Sequence, residues 1–68
     1  MADELTNSVR EAREAKGWTQ AELAERIGVS RKTVNTVENG VFVPSTVVAL
    51  KLAKALGSSV EALFFIVE

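Results

Sequence analysis

The chain has 68 residues, the size of one small domain spanning 1–68, and its nine acidic and eight basic side chains leave a formal net charge of −1. It has no cysteine and no histidine, which excludes disulfides and the usual thiolate or imidazole metal sites and removes the commonest catalytic side chains. We therefore expect no enzyme and no metal or cofactor. The sequence has neither a signal-peptide pattern nor a membrane-spanning apolar run, so we expect a cytoplasmic module. Because a domain of this size has a small core, we also expect a partner to stabilise it.

Glycine, proline and serine divide the chain into five segments whose apolar residues recur at helical spacing. They predict helices over residues 7–16, 20–27, 31–38, 46–56 and 60–64. Thr19 and Glu22 form a capping-box pattern, and Gly28 and Gly57 stand where a helix is closed by a left-handed residue. The predicted fold is all-α, a compact five-helix bundle. Residues 63–67 are rich in strand formers, so the chain can end in a short C-terminal strand. Its predicted core is Val9, Ala12, Leu23, Ala24, Ile27, Val34, Val37, Ala49, Leu52, Ala53, Leu56, Val60 and Leu63.

Residues 20–39 carry the most specific pattern in the chain. Two helices joined by a tight turn approach closely, so the first needs a small residue at its midpoint and the turn needs a residue that tolerates positive φ. Ala24 and Gly28 meet these needs, and Val34 and Val37 give the second helix a buried stripe. At about 100° per residue, the opposite arc of that helix holds two cations, an amide and a hydroxyl, and no acid: Arg31, Lys32, Asn35 and Thr36.

This segment resembles the helix-turn-helix of the phage repressor and Cro (XRE-like) family of transcription regulators. The resemblance extends over roughly residues 7–64, through the segments Val9–Arg13, Glu38–Gly40, Pro44-Ser45 and Ala49–Gly57. It implies a lambda-repressor-like fold whose third helix enters the major groove of double-stranded DNA. It also implies a sequence-specific regulator that binds a near-palindromic operator as a homodimer, and we expect it to repress by occlusion.

The chemistry of the outward arc suits base recognition. Arg31 offers a two-pronged donor to guanine, Lys32 a single flexible donor, and Asn35 a donor–acceptor pair that fits adenine. Thr36 is also predicted to touch a base. The plainer interpretation is a solvated helix surface, but cations at a helix start oppose the helix dipole, which favours a functional role for Arg31 and Lys32.

Four residues are predicted to contact DNA phosphate: Thr19, Gln20, Thr33 and Asn39. Gln20 resembles the family's phosphate-clamping glutamine at a helix N-terminus. Thr19 is first a helix cap, Thr33 has the alternative of simply filling space, and Asn39 is equally an ordinary turn residue before Gly40. The resemblance further implies an ion pair between Arg13 and Glu38. Trp18 is interpreted as a residue at the edge of the core. None of these three residues is predicted to contact a base.

The loop Val41–Val43 departs from the family, because it lacks the Lys or Arg that many members place against phosphate. This loop and an acidic isoelectric point of about 5.4 keep a second hypothesis open. Under it, the chain is a protein-interaction or antitoxin-type module that retains the fold. The acid-free, basic arc of the third helix favours DNA binding instead.

The C-terminal residues Phe64, Phe65, Ile66 and Val67 are predicted to form the dimer interface. Side chains of a strand alternate between two faces, so one small bundle cannot cover both faces, whereas a second copy across a two-fold axis can. The alternative is that Phe65 or Ile66 folds back onto the segment around Leu5 and leaves a monomer. No membrane or small-molecule partner is expected.

Overall fold

Five helices and one two-stranded antiparallel sheet make up the described part of the chain. The computed structural model describes residues 4–67. In chain order the elements are β1 (Glu4–Asn7), α1 (Val9–Ala15), α2 (Gln20–Ile27), α3 (Arg31–Glu38), α4 (Thr46–Leu56), α5 (Val60–Leu63) and β2 (Phe64–Val67). Within the described residues, every helix is too short or too polar to pass through a bilayer.

The predicted bounds of α2, α3 and α4 are confirmed, because local capping sets them. Their starts are fixed by the side chains of Thr19, Ser30 and Ser45, each of which accepts a hydrogen bond from an amide in the first turn. Two of them end at glycines in the left-handed conformation, with φ of 72° at Gly28 and 65° at Gly57. α5 ends one residue before its predicted bound, where the chain becomes extended.

The all-α prediction is wrong at the N-terminal end, where residues 4–7 form a strand. Leu5 pairs with Ile66 in this sheet. The side-chain oxygen of Asn7 accepts a hydrogen bond from the amide of Val9 (3.1 Å), and its Nδ2 donates to the carbonyl of Val37 (2.9 Å). These bonds hold Asn7 outside the helix, so α1 begins at Val9 rather than at residue 7.

The C-terminal segment forms the short strand that the sequence allowed. It folds back onto the segment around Leu5, which is the arrangement predicted as the alternative to a dimer interface. Phe64 is half-buried and packs against the core. In contrast, Phe65, Ile66 and Val67 stay exposed, with Ile66 at 58% of its full accessibility. Pairing with β1 therefore gives one edge of β2 its hydrogen bonds without covering these apolar side chains.

The core lies between the helices and consists almost entirely of the predicted residues. Its buried members share the inward faces of the five helices: Val9, Leu23, Ala24, Ile27, Val34, Val37, Leu52, Ala53, Leu56 and Leu63. Ala12 and Val60 are half-buried at its edge. Arg13 is a charged residue buried on α1, where the sequence pattern alone gave no core position.

Replacing Ala24 with leucine tests the close packing of α2. Ala24 is buried in the core, so three extra carbon atoms should overpack it and lower the free energy of unfolding by about 1–3 kcal/mol. Ala21→Leu on the exposed side of the same helix is the matched control and should change the free energy of unfolding by less than about 0.5 kcal/mol. Urea unfolding followed by circular dichroism measures both variants, and equal stabilities would contradict close packing at Ala24.

Candidate nucleic-acid interface

A rigid three-residue turn sets the position of α3 relative to α2. Gly28 takes the left-handed conformation, which a side chain would strain. The amide of Val29 then donates to the carbonyl of Ala24 (3.0 Å), and the Ser30 hydroxyl accepts the amide of Thr33 (3.1 Å) to start α3. The end of one helix and the start of the next are thus hydrogen-bonded, as in a helix-turn-helix.

The first turn of α3 carries exposed positive charge that the described residues do not neutralise. Arg31 and Lys32 are both exposed, and the ion pairs in the described part of the chain all involve Glu38 instead. This turn contains no acidic residue, although a helix N-terminus favours acids. Two cations in this position are available to bind the phosphates or guanine edges of DNA.

The two threonines of α3 use their hydroxyl groups within the helix. The Oγ1 of Thr36 donates to the carbonyl of Lys32 or of Thr33, at 3.0 and 3.1 Å. The hydroxyl of Thr33 shares a hydrogen bond with that of Ser30 (2.9 Å). Both residues are half-buried, so what they can offer to a ligand is chiefly an acceptor oxygen and a methyl group.

The apolar loop after α3 lies directly beside these threonines. The amides of Val41 and Phe42 both donate to the carbonyl of Thr36, at 2.9 and 3.2 Å. A cleft of about 340 Å³ runs between this loop and the outer side of α3, with Lys32 and Thr33 also on its wall. The loop therefore adds apolar surface next to the predicted base contacts, at the position where the family often supplies a cation.

A closed ring of side-chain hydrogen bonds brings together three of the predicted contacts. Gln20 donates from Nε2 to Glu38 Oε1 (3.0 Å), and Asn35 donates from Nδ2 to Gln20 Oε1 (3.4 Å). Asn39 donates from Nδ2 to Asn35 Oδ1 (3.3 Å). Arg10 closes the ring through bonds to Asn39 Oδ1 (2.6 Å) and Glu38 Oε1 (3.3 Å). The amides are thereby held in one arrangement at the junction of α1, α2 and α3.

The ion pair between Arg13 and Glu38 anchors this ring. Arg13 Nε lies 2.7 Å from Glu38 Oε2, its second nitrogen lies 3.2 Å from Oε1, and a third donates to the carbonyl of Trp18 (2.7 Å). The Glu38 side chain is 0% exposed and that of Arg13 is 11% exposed. Burial raises the pKa of Glu38, but hydrogen bonds from Arg13, Gln20 and Arg10 outweigh it and hold the pKa below its usual range.

Thr19 forms the predicted capping box at the start of α2. Its Oγ1 accepts the amide of Glu22 (3.1 Å), while Glu22 Oε1 accepts the amide of Thr19 (3.0 Å). The hydrogen bond that the Thr19 amide donates to the Glu22 carboxylate is the largest cause of the lowered pKa of Glu22. The cap fixes the helix start on which Gln20 stands, so Thr19 has a structural role whether or not it touches DNA.

Arg10 is the site residue that sequence reasoning missed. It stands three residues before Arg13 on α1, so the two guanidinium groups share one side of the helix and reach the same carboxylate. That spacing was a usable signal, because residues three apart are neighbours on a helix surface. Nothing local in the sequence showed that this side of α1 faces the end of α3.

Comparisons with known proteins agree with this geometry. Residues 9–63 match the family described as Helix-turn-helix. The chain is 41% identical over 64 residues to the HTH-type transcriptional regulator YgzD of Bacillus subtilis, covering 94% of this chain and 97% of that protein. It is 44% identical over 61 residues to an HTH-type transcriptional regulator of Methanothermobacter thermautotrophicus, covering 88% of each. The crystal structure of the restriction-modification controller protein C.AhdI from Aeromonas hydrophila is similar with a TM-score of 0.74 and 42% identity, over 79% of this chain and 82% of that one.

Replacing Glu38 with glutamine tests the buried ion pair through its dependence on pH. The variant keeps the shape but leaves Arg13 without its counter-charge, and at neutral pH we expect a loss of about 2–3 kcal/mol in the free energy of unfolding. Because the folded pKa lies below the unfolded value of about 4.3, the wild-type advantage is present above that pH and disappears as the pH falls through the folded pKa.

Urea unfolding of both proteins near pH 7 and near pH 3 measures this effect. The stability difference should shrink at the lower pH, whereas the exposed control variant Glu11→Gln should resemble the wild type at both. A difference between Glu38→Gln and wild type that stays the same at both pH values would contradict a charged carboxylate at this position.

Proposed function

Since this chain belongs to the helix-turn-helix family of DNA-binding transcription regulators, we propose that it binds a near-palindromic operator as a homodimer and represses transcription by occluding that site. The observation that carries the proposal is the exposed, acid-free first turn of α3, with Arg31 and Lys32 free of intramolecular ion pairs among the described residues. An α-helix with such an end fits the major groove of B-DNA.

Four side chains of α3 are proposed to contact base edges. Arg31 binds the O6 and N7 of a guanine with two donors, and Lys32 adds a single donor to a neighbouring base. Asn35 exchanges its 3.4 Å bond to Gln20 for a donor–acceptor pair with an adenine. Thr36 packs its methyl group against a thymine methyl, since its hydroxyl already bonds to the backbone.

The phosphate contacts are proposed to be mostly uncharged. Thr19, Gln20, Thr33 and Asn39 offer hydroxyl or amide groups around the two helix starts and the end of α3. Neutral donors release no counterions, so the affinity should fall less steeply with salt than in a regulator that neutralises many phosphates. The orientation of the protein on the duplex then depends on hydrogen-bond geometry more than on electrostatic attraction.

The homodimer is proposed to form through the sheet. Leu5, Phe65, Ile66 and Val67 are exposed on β1 and β2, whereas Phe64, the fourth residue predicted at the interface, is half-buried against the core. A small domain gains stability by burying such exposed side chains against a second copy. A two-fold axis at the sheet would present two α3 helices to one side of the duplex. Half-sites roughly 34 Å apart, one turn of DNA, would match that arrangement.

Selection of bound sequences from a random duplex pool tests the function directly. Enrichment of a motif with two-fold symmetry supports a dimeric regulator, whereas a single asymmetric half-site contradicts the dimer and keeps DNA recognition. No enrichment contradicts the DNA-binding proposal. That result favours a protein-interaction module that keeps the fold without binding DNA, for which the exposed loop Val41–Val43 offers an apolar surface.

Arg31→Ala tests base readout once a preferred site is known. The variant should lose about 1–3 kcal/mol of binding free energy on that site and relax the preference at one base pair. Lys51→Ala removes an exposed cation from α4 and is the control, with affinity unchanged. Fluorescence anisotropy on the preferred and single-substituted duplexes gives both quantities. An equal loss on all sequences would assign Arg31 to a phosphate instead.

The double variant Phe65→Thr, Ile66→Thr tests the dimer interface. Threonine retains the strand preference, so β1 and β2 should stay paired while the exposed apolar surface is lost. We expect the wild type to sediment as a dimer at micromolar concentration and the variant as a monomer with an unchanged circular dichroism spectrum. Val41→Thr on the loop after α3 is the control and should remain dimeric. A monomeric wild type would contradict the proposed interface.

A further inference from the structure

An open groove beside Trp18 gathers half of the chain's eight basic residues. The groove has a volume of about 690 Å³ and lies between the C-terminal part of α2 and the outer side of α4. Arg26, Lys51 and Lys54 line it, and the ammonium group of Lys16 lies at its edge, 5.9 Å from the centre of the Trp18 ring. We call this surface the basic groove.

The positive charge of the basic groove is only partly balanced by the described residues, among them Glu22, whose carboxylate interacts with Arg26 one turn further along α2. Both ion pairs found among residues 4–67 involve Glu38, so Lys16, Arg26, Lys51 and Lys54 take no part in one. Glu25 is the one carboxylate among the lining residues. Cations near the ends of α2 and α4 stabilise the helix dipoles, but one per helix would suffice for that. The surplus attracts an acidic partner, in a chain whose net charge is −1.

The basic groove also has an apolar component. The guanidinium carbon of Arg26 lies 4.0 Å from the centre of the Trp18 ring, and Ile27 and Ala55 line the same groove. Cations flank an apolar strip, which is the complement of a peptide that combines carboxylates with large apolar side chains.

Such a surface fits a protein segment better than a second stretch of DNA. A phosphate backbone would use the cations but would leave the half-buried side chains of Trp18 and Ala55 without a partner. None of the residues that line the basic groove belongs to the proposed base contacts on α3. An occupant could therefore bind while α3 lies on an operator.

We propose that the basic groove binds a short acidic segment of a partner protein, with at least one leucine or phenylalanine of that segment on the apolar strip beside Trp18. The carboxylates pair with Lys51, Lys54 and Lys16, and the apolar side chain covers the edge of the Trp18 ring and Ala55. This inference is independent of which DNA sequence the chain recognises.

Trp18 makes the binding directly measurable, because the chain contains one tryptophan and no tyrosine. The probe is a short synthetic peptide of aspartate and glutamate with two leucines and one phenylalanine. Titration into the full chain should change the Trp18 emission in a saturable way. The matched peptide with asparagine and glutamine in place of the acids should bind at least about tenfold more weakly, as should the acidic peptide at high salt.

Charge reversal in the groove provides the second arm of the test. The double variant Lys51→Glu, Lys54→Glu changes two exposed residues of α4 to another good helix former, so the fold should persist. It should weaken the acidic peptide at least about tenfold. The control, Arg31→Glu with Lys32→Glu, makes the same charge change on α3 and should leave the peptide affinity within about twofold.

Three results would overturn the proposal: no change in Trp18 emission, equal affinity for the neutral peptide, or an equal loss in both double variants. Duplex binding separates the remaining possibility. If Lys51→Glu, Lys54→Glu weakens binding to duplex DNA as strongly as it weakens the peptide, the groove contacts phosphate and the proposal is wrong. If only the control variant, Arg31→Glu with Lys32→Glu, loses DNA binding and it keeps its affinity for the peptide, the proposal is supported. The same result agrees with base recognition by α3.

Discussion

The buried carboxylate of Glu38 links three helices. It ends α3 and accepts hydrogen bonds from Arg10 and Arg13 on α1 and from Gln20 at the start of α2. Transferring a carboxylate out of water costs several kcal/mol, so it stays charged only where cations and donors surround it. Since the three donors come from fixed helix positions, the carboxylate constrains the end of α3, while the turn at Gly28 constrains its start. Both ends of the helix are held.

Through Gln20, the same carboxylate determines how the amides of the interface are arranged before any ligand arrives. Asn35 and Asn39 are bonded to each other, and their outer partners differ in strength. The Asn35–Gln20 bond is long, at 3.4 Å, whereas Arg10 holds Asn39 with a short, charge-assisted bond of 2.6 Å. Releasing Asn35 therefore costs less than releasing Asn39. This difference fits the proposed division, in which Asn35 turns to a base and Asn39 stays in place near the backbone.

How much of the molecule the sequence could predict depends on how far apart the interacting residues lie in the chain. α2 and α3 have predictable bounds because Thr19, Ser30 and Gly28 act within a few residues of each helix end. β1 was not predicted because the strand it pairs with lies at the other end of the chain, as the pairing of Leu5 with Ile66 shows. The ring of hydrogen bonds escaped for the same reason. The ion pair of Arg13 was anticipated from the family resemblance, and spacing alone would not have found it.

The distribution of cations explains why the net charge of the chain says little about its interactions. Arg10 and Arg13 share the single carboxylate of Glu38, so their cluster keeps one net positive charge, carried by the half-exposed Arg10. Arg31 and Lys32 remain on α3, and the other four surround Trp18.

The two cations on the first turn of α3 give weak non-specific attraction to DNA, because that attraction scales with the number of phosphates neutralised. In the proposed dimer, recognition then comes from hydrogen-bond geometry and from joining two copies, since a second half-site bound by a tethered copy raises the overall affinity without any new contact. The exposed apolar strand and the small number of cations on α3 are thus parts of one arrangement. A reader with so little electrostatic attraction needs a partner copy more than a strongly basic one would.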